Sequence, residues 1–393
     1  MNNRKLYLRV KPKVALLRGT LLNDYEMQSY EPLQKQFQMT TFIPHQTYFD
    51  VSKIDIPKET LWCPIAAKIP FERSLRKWQA VKDRVTGSTH SFCGMADRLK
   101  GFDIYHVMDQ YFCFSYEAVL AKRQYGGKLV VTQYENIPLL NEKKFMERHI
   151  KKSVRIEADL FLAMSDGARQ TLLVEGVDPT KIKKIYGAVD TNHFSPGSVD
   201  KKLLKSLGIP SDAFVVLYVG RLAASKGVFT LLEAARRLAL EDSKVHFLLA
   251  GKDEEGIANW ISQNHIGGSV HLAGFVPYAQ MPKYYRLSQL FVLPSIPTKG
   301  WKEQFGYVLA EAMACGVPVA GSDCGAIPEV VGDPDRIFPA GSAEKIYFMI
   351  KKLKRLAPGR LKTQSRKRAL NLFSSEKLTR TLAAVYDELL HAT

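Results

Sequence analysis

Two glutamates eight residues apart are the groups in this 393-residue sequence best suited to bind a hydroxyl-rich ligand. Glu303 and Glu311 lie in the segment GWKEQFGYVLAEAMACGVPV. Its apolar pattern predicts a helix that begins near Phe305 and Gly306, with Glu303 in the preceding loop. Amides at a helix start can hold a phosphate or sugar oxygen, and each carboxylate can accept hydrogen bonds from vicinal hydroxyls. The spacing also fits an amphipathic helix with two surface glutamates.

A second segment, VLYVGRLAASKGVFTLLEAARRL, combines a buried strand with two cationic side chains. The strand is predicted to end at Gly220, and Arg221 and Lys226 stand in the short loop before a helix that begins near Gly227. An arginine fork, a mobile lysine and a positive helix end together suit a diphosphate. Basic residues in such loops are also often only solvated.

These segments need a scaffold that brings strand ends together. Short apolar runs alternate with helical patterns along the whole chain, which predicts βαβ units on parallel sheets. One series of predicted strands is 14–18, 39–43, 102–107, 128–133, 159–164 and 183–187, and a second is 214–220, 244–250, 269–273, 289–294, 317–321 and 335–339. The fold class is therefore α/β, with two Rossmann-like, doubly wound domains that face a cleft.

The domain boundary is predicted in a segment rich in proline and glycine between the two series. We assign residues 1–195 to an N-terminal, acceptor-binding domain and 196–374 to a C-terminal domain for a nucleotide sugar. Residues 375–393 are predicted to form a helix that packs back on the N-terminal domain.

The two chemical segments together resemble the family 4 retaining glycosyltransferases of the GT-B fold, also called glycosyl transferases group 1. The matching strings are GRLAASKG, AGKDE, LAGFVP and the E-x7-E segment with FGYVLAEAMACGVPV, in that order over about 120 residues. The first 130 residues match more loosely.

The resemblance implies roles for residues of the C-terminal domain. Arg221 and Lys226, after Gly220, would hold the donor's diphosphate and neutralise the departing nucleotide. Glu303 would contact the donor sugar, with the amides of Phe305 and Gly306 nearby, and Glu311 would accept hydrogen bonds from the ribose. The backbone of three further residues would lie against the base, namely Gly274, Phe275 and Val276. The anomeric configuration would be retained by front-face attack, without a protein nucleophile.

The N-terminal domain departs from the family's common pattern. The loop after the first strand has Gly19 where many members carry two glycines, and Tyr134 and Glu135 follow a later strand where many carry a histidine. Glu135 is a candidate for orienting the acceptor, and Asn23 or Glu26 could line the same cleft. Each of these residues could instead cap a helix or form a turn.

The resemblance also implies that no divalent cation and no resident cofactor are needed, since the nucleotide sugar is a substrate. Asp333-Pro334-Asp335 is the only Asp-x-Asp string, and its proline is typical of a turn. The five cysteines are scattered and never in CxxC spacing, which disfavours a disulfide framework and fits a reducing cytoplasm.

The net charge of +17 is concentrated at the two ends, since residues 1–13 carry five basic and no acidic residues and 351–393 carry eleven basic and three acidic residues. Basic amphipathic stretches at 69–85 and 141–156 could lie on an anionic membrane surface, although ordinary surface helices look the same. We expect a cytoplasmic protein, peripheral on the inner membrane face. No nucleic-acid recognition motif is present, so a nucleic-acid partner is not expected.

The sequence thus predicts a hexosyltransferase-type enzyme that moves a sugar from a nucleotide diphosphate donor to a glycan or lipid-linked acceptor, as in polysaccharide biosynthesis. The alternatives are a GT-B nucleotide-sugar epimerase or phosphorylase, and an inactive nucleotide-sugar-binding partner subunit. The base (UDP, GDP or ADP), the sugar, the acceptor and the oligomeric state do not follow from the sequence.

Overall fold

A computed structural model describes residues 11–45, 47–61, 95–356 and 358–391. The chain divides into two compact units. Of the described residues, the first contains those up to Met164, Arg169–Ile185 and those from Leu378 onward, and the second contains Ser165–Ala168 and those within Tyr186–Lys377. The predicted stretch 69–85 lies outside the described residues.

The strands and helices of the described residues alternate along the chain. The strands are β1 (Lys13–Leu17), β2 (Gln38–Pro44), β3 (Lys58–Leu61), β4 (Ile104–Met108), β5 (Lys128–Gln133), β6 (Leu160–Ala163), β7 (Ile182–Lys184), β8 (Phe214–Val219), β9 (Val245–Ala250), β10 (Val270–Gly274), β11 (Leu290–Leu293), β12 (Val319–Ser322) and β13 (Ile337–Phe338). The helices are α1 (Asp24–Met27), α2 (Met95–Arg98), α3 (Cys113–Tyr125), α4 (Phe145–Glu157), α5 (Asp166–Val174), α6 (Lys201–Ser206), α7 (Val228–Glu241), α8 (Ile257–Gln263), α9 (Met281–Leu287), α10 (Tyr307–Ala314), α11 (Ile327–Val331), α12 (Ala343–Arg355), α13 (Pro358–Leu372) and α14 (Ser375–His391).

The first unit is built on a parallel sheet with strand order β3-β2-β1-β4-β5-β6-β7. The central strands are short apolar runs, and all five residues of β4 are buried, as expected where helices cover both faces of a parallel sheet. Strand β3 was missed from the sequence because it is a four-residue edge strand in which only Leu61 is buried.

The second unit repeats this architecture with strand order β10-β9-β8-β11-β12-β13, again all parallel. Its core is contiguous and includes the fully buried Tyr218, Phe247 and Phe291. The prediction of two Rossmann-like domains is confirmed, and each of the predicted strands overlaps an observed one. Parallel sheets place all strand ends of one kind at one edge, which is where the candidate site is found.

The units divide between Ile185 and Tyr186, whereas the sequence placed the boundary near residue 195. The reason is packing: Phe194 is fully buried in the core of the second unit, and the amide of Val189 donates to the carbonyl of Phe373 at 2.8 Å. The proline and glycine residues that suggested the boundary therefore follow the first segment of the second unit.

Helix α14 packs in the first unit from Leu378 onward. Thr379 Oγ1 donates to the carbonyl of Ser29 at 2.7 Å, and Tyr386 packs edge-on against Phe37. Tyr386 also lies 2.6 Å from His106 Nδ1, while His106 Nε2 lies 2.7 Å from Thr132 Oγ1. Both ring nitrogens of this buried histidine are thus held by structural partners. No helix of the described residues is long and apolar enough to cross a membrane.

Candidate functional site

The loop after β8 brings a lysine to the carboxyl edge of the second sheet. Residues Ala224–Lys226 form one turn of 3-10 helix, and Gly227 follows at φ +73° before α7 begins. A Cβ at Gly227 would overlap the carbonyl oxygen of Pro294, so only glycine lets the loop approach the end of β11 this closely. The amide of Ile296 fixes the contact by donating to the carbonyl of Ser225 at 2.9 Å.

Lys226 and Glu303 form an ion pair at this edge. Nζ of Lys226 lies 2.9 Å from Oε2 of Glu303, and the side chains are 17% and 13% exposed. The ammonium group also lies 4.1 Å from the centre of the Trp301 ring, a cation–π contact. Two residues predicted to act on the same donor, 77 positions apart in sequence, are therefore in direct contact.

The position of Glu303 is fixed on two sides. The Ser295 hydroxyl donates to the same carboxylate oxygen at 2.9 Å. On the backbone side, Ala326 N–H donates to the Glu303 carbonyl at 2.9 Å. Gly325 has φ +59°, and a Cβ there would overlap the Glu303 backbone. The carboxylate that would face a sugar is thus held by loops after β11 and β12.

Arg221 takes a different partner from the one its predicted role requires. Its Nη1 lies 3.0 Å from Glu254 Oε2, and the two side chains are 58% and 33% exposed. The Tyr218 hydroxyl donates to the Arg221 carbonyl at 2.7 Å and anchors the backbone. Exposed pairs of this kind contribute about 0–1 kcal/mol, so an anion could displace Glu254 at little cost.

Helix α10 begins beside Glu303. Gly306 stands at its N-cap with φ +85°, so the first helical residue is Tyr307, two positions later than predicted. Phe305 anchors this start because its ring is buried against Phe373, with ring centres 5.5 Å apart. The amides at the start of α10 therefore lie beside Glu303, and the binding of a ligand oxygen by the amides of Phe305 and Gly306 stays a prediction.

Glu311 lies one turn further along α10 and is buried. The hydroxyl of Tyr285, on α9, donates to its Oε2 at 2.6 Å. Burial raises the pKa of Glu311 to about 7, against the opposing effect of this hydrogen bond. One carboxylate oxygen is therefore engaged within the protein.

Three glycines end neighbouring strands at the same edge. The amide of Gly220 donates to the carbonyl of Ala250 at 3.0 Å, and the amide of Gly251 donates to the carbonyl of Gly274 at 2.8 Å. A Cβ at Gly251 would overlap the carbonyl of Gly220. These glycines leave the backbone without side chains at this edge, so that a flat base could pack directly against the main chain. Beyond it Phe275 is 79% exposed and Val276 is buried.

The candidate acceptor residues of the first unit serve local structure. Asn23 Oδ1 accepts the Glu26 amide at 2.8 Å and caps α1 just after the 3-10 turn that begins at Gly19. Glu26 pairs at 3.0 Å with Arg18, a fully buried arginine whose pKa is raised through its pairing with Tyr30 and Glu26 although burial opposes this.

Glu135 lies in a buried ion cluster. Its two oxygens accept from Lys151 Nζ at 2.7 Å and from Asn141 Nδ2 at 2.9 Å, and Lys151 also contacts Glu175 at 2.8 Å. Burial raises the pKa of Glu135 to about 8. Its role toward an acceptor stays a prediction, and both of its oxygens already have protein partners.

Asp109 is a residue that the sequence analysis missed. It follows β4 with φ +50°, a conformation that non-glycine residues rarely adopt. Its Oδ1 accepts the amides of Tyr134 and Glu135 at 2.8 and 3.0 Å, and burial raises its pKa to about 6. Its position after a predicted buried strand was the available signal.

In the second unit, Ser295, Trp301, Tyr285 and Gly325 were also missed. Trp301 and Ser295 stand within eight residues of Glu303 in the sequence. Tyr285 and Gly325 had no comparable signal, because they reach their partners through tertiary folding.

The Asp-x-Asp string forms a turn. Asp333 closes it by accepting from the Asp335 amide at 3.0 Å and from Arg336 Nε at 2.9 Å. Within the described ranges, no three His, Cys, Asp or Glu residues are grouped as metal ligands would be.

The fold is the two-domain GT-B architecture. Two solved structures illustrate it: Anabaena HepE in complex with UDP and glucose (TM-score 0.71, 19% identity, covering 96% of this chain and 99% of that one), and sucrose-phosphate synthase from Thermosynechococcus elongatus (TM-score 0.73, 19% identity, 98% and 100%). Identities this low establish the fold alone.

Sequence comparison shows which proteins the second unit resembles. Residues 199–369 match the family model of glycosyl transferases group 1. The D-inositol 3-phosphate glycosyltransferases of Thermobifida fusca (strain YX) and Mycobacterium tuberculosis (strain H37Ra) are 32% and 31% identical over 188 and 186 residues, 45% of this chain in each case. The aligned part spans less than half of those proteins, 42% and 36%. The match confirms the resemblance to glycosyl transferases group 1 over residues 199–369, which lie within the second unit.

Proposed function

We propose that this protein is a retaining glycosyltransferase that moves a hexose from a nucleotide diphosphate donor to a glycan or lipid-linked acceptor. The observation that carries the proposal is the contact between Lys226 and Glu303 beside the start of α10. It joins a cation for the leaving diphosphate, a carboxylate for sugar hydroxyls and the amides of a helix start. The match to the family model supports the same class of reaction.

Donor binding begins with an exchange of partners. The diphosphate replaces Glu303 as the partner of Lys226 and displaces Glu254 from Arg221, so both cations face the phosphates. Glu303 keeps its hydrogen bond from Ser295, and the sugar hydroxyls take the place that Lys226 leaves on its carboxylate. The ribose hydroxyls donate to Glu311, and the base lies against the bare backbone at Gly220 and Gly274.

The transfer step proceeds on one face of the sugar. The bond from the anomeric carbon to the diphosphate oxygen breaks as the acceptor hydroxyl attacks from the same side. The acceptor's proton passes to the departing phosphate oxygen, so configuration is retained without a protein nucleophile. Lys226, Arg221 and the α10 amides stabilise the negative charge that develops on the leaving group. We propose that these groups replace a divalent cation and that no resident cofactor takes part.

A nucleotide panel tests this proposal. Thermal unfolding is measured with UDP, GDP, ADP and their sugars, in EDTA, because a ligand that binds the folded state raises its stability. We expect one base to raise the unfolding temperature and Lys226→Ala to remove most of the shift. A shift that requires Mg²⁺ contradicts metal-independent binding. The absence of any shift favours a GT-B protein that no longer binds a nucleotide sugar. Conversion of the sugar on an intact nucleotide would identify an epimerase, and dependence of sugar release on orthophosphate a phosphorylase.

The raised pKa of Glu311 gives a pH dependence. Ribose hydroxyls donate to the ionised carboxylate, so binding favours deprotonation and the affinity for the nucleotide sugar rises between about pH 6 and pH 8. A nucleotide sugar is used because its diphosphate has no titration in this range. Calorimetry is expected to detect proton release near pH 6.5. Glu311→Gln is expected to bind about tenfold more weakly with a flat pH profile; an unchanged affinity in this variant contradicts the ribose contact.

We also propose that α4 rests on an anionic membrane surface. Phe145 is 79% exposed and Leu139, just before the helix, is 56% exposed. Lys143, just before the helix, and Arg148 and Lys152, on it, are also exposed. Amphipathic helices with this combination bind anionic lipid. Wild type is expected to sediment with phosphatidylglycerol vesicles and Phe145→Ser to sediment less; equal sedimentation of the two would contradict this contact.

A further inference from the structure

A cavity of about 580 Å³ lies at the other edge of the second unit's sheet. Ser288 and Gln289, which lead into β11, and Val317, which leads into β12, form part of its lining. It therefore opens at the amino ends of the strands, whereas Lys226 and Glu303 lie at the carboxyl ends. Its volume falls within the range of small-molecule sites, about 300–1,000 Å³. The proposed donor chemistry makes no use of it.

One face of α13 forms a wall of this cavity. The lining residues from the helix are spaced as one helical stripe, namely Lys362, Thr363, Arg366, Lys367, Leu370 and Asn371. This helix face carries three cations and two uncharged polar groups. Lys362, Lys367 and Leu370 are exposed, so the cavity is open to solvent.

Two arginines are fixed at the wall of the cavity by backbone oxygens. Arg286 donates through Nε to the Ser195 carbonyl at 2.8 Å and through Nη2 to the Ser195 hydroxyl at 3.3 Å. Arg366 donates through Nη1 to the carbonyls of Phe194 and Ala314, at 2.8 and 2.6 Å. Their other guanidinium nitrogens make no hydrogen bond within the described part of the chain. The side chains are thus pre-positioned while donors remain for a ligand.

The charge of the cavity is unbalanced. Four of its lining residues are cationic, and among the described residues that line it none carries a carboxylate. Burial lowers the pKa of Arg366, and Cys315, which lines the cavity, and Glu376, which does not, oppose this effect. Pro196, Val199 and Leu370 add an apolar side. Cations gathered without a counter-charge beside an apolar wall suit an anion that has an organic part.

We propose that this cavity binds a phosphomonoester of a small organic molecule. The dianion would bridge the lysines of α13 and the free donors of the two arginines, since guanidinium groups bind phosphate oxygens in pairs. The organic part would pack against the apolar side. This site is separate from the proposed donor site and does not depend on the proposed function.

The test is calorimetric titration of the full chain with inorganic phosphate and glycerol 3-phosphate at constant ionic strength. The site variant is the double substitution Lys362→Ala and Lys367→Ala, two exposed helix residues whose loss leaves the packing intact. The matched control, Lys345→Ala with Arg360→Ala, removes the same charge from exposed positions of the same unit outside the cavity. A Lys226→Ala arm removes any phosphate bound at the donor site.

We expect saturable binding of glycerol 3-phosphate, tighter than that of phosphate, weakened about tenfold or more in the site variant. The control and Lys226→Ala are expected to stay within about twofold of wild type. A parallel experiment with phosphatidic acid vesicles distinguishes a lipid headgroup from a free phosphomonoester. If wild type binds only the vesicles and the site variant does not bind them, the phosphomonoester belongs to a lipid headgroup. Equal affinity of the site variant and the control in both arms, or no binding by wild type at 10 mM ligand, overturns the proposal.

Discussion

Alanine in place of Lys226 or Glu303 is expected to abolish sugar transfer while the protein stays folded. Each variant is expected to lose about a thousandfold or more in kcat, or about 4 kcal/mol of transition-state stabilisation. Lys226→Ala removes the cation nearest the leaving diphosphate, and Glu303→Ala removes the carboxylate for the sugar while leaving Lys226 over Trp301. The measurement is initial-rate kinetics with the donor found in the nucleotide panel.

A matched ion pair on the same unit serves as the control. Glu233 and Arg236 pair at 3.1 Å on α7, each 45% exposed, and Glu233→Ala is expected to keep wild-type turnover. The unfolding temperatures of the site variants are expected to stay near that of wild type, which separates chemistry from folding. Near-normal turnover in either site variant would remove Lys226 and Glu303 from the roles proposed here.

Lys151→Ala is expected to destabilise the first unit by about 3–5 kcal/mol, since removing one partner of a buried ion pair leaves uncompensated charge. Lys151 is fully buried on α4 and contacts Glu135 and Glu175, which are 3% and 0% exposed. Arg155 is a second cation of this cluster, with Nη1 3.2 Å from Oε2 of Glu175, so Glu135 is the carboxylate that loses its cationic partner in the variant. The measurement is thermal or urea unfolding, followed on the transition of this unit.

Its neighbour provides the control. Lys152 is exposed, and Lys152→Ala is expected to change stability by about 0.5 kcal/mol or less.

The loss of stability in Lys151→Ala is also expected to depend on pH. The folded-state pKa of Glu135 is raised to about 8 from 4.5, so its contribution to stability is present below the unfolded value and lost as pH rises through 8. The Lys151→Ala deficit is therefore expected to shrink at acidic pH, and equal stability of the two variants would contradict the cluster.

The fold could be predicted because its signals are local. Runs such as FVVLYV and VHFLLA are short, apolar and separated by helical patterns, and they became β8 and β9. Strand β3 could not be found in this way, because a polar edge strand of four residues has no apolar run. The unit boundary was misplaced for a related reason: the burial of Phe194 is decided by its neighbours in space.

In the candidate site, too, local signals could be predicted from the sequence and long-range contacts could not. Residue type and spacing identified Lys226 and Glu303, and the structure brings them into contact. Their supports Ser295 and Gly325 arrive from two different strand ends, so no sequence pattern joins them to Glu303. For Glu135 the sequence suggested a carboxylate that faces an acceptor, because it follows a buried strand. The structure places it in a buried ion cluster with Lys151, a partner that the sequence pattern did not indicate.

The most direct test of the proposed function is an NMR measurement of donor cleavage. The protein, in EDTA, is incubated with the nucleotide sugar that binds most tightly, with water as the surrogate acceptor, and the anomeric protons are followed from the first time points. We predict release of the nucleoside diphosphate together with a sugar whose first-formed anomer has the donor's configuration, and no release by Lys226→Ala. A first-formed product of inverted configuration, or equal release by wild type and Lys226→Ala, would contradict retaining transfer at this site.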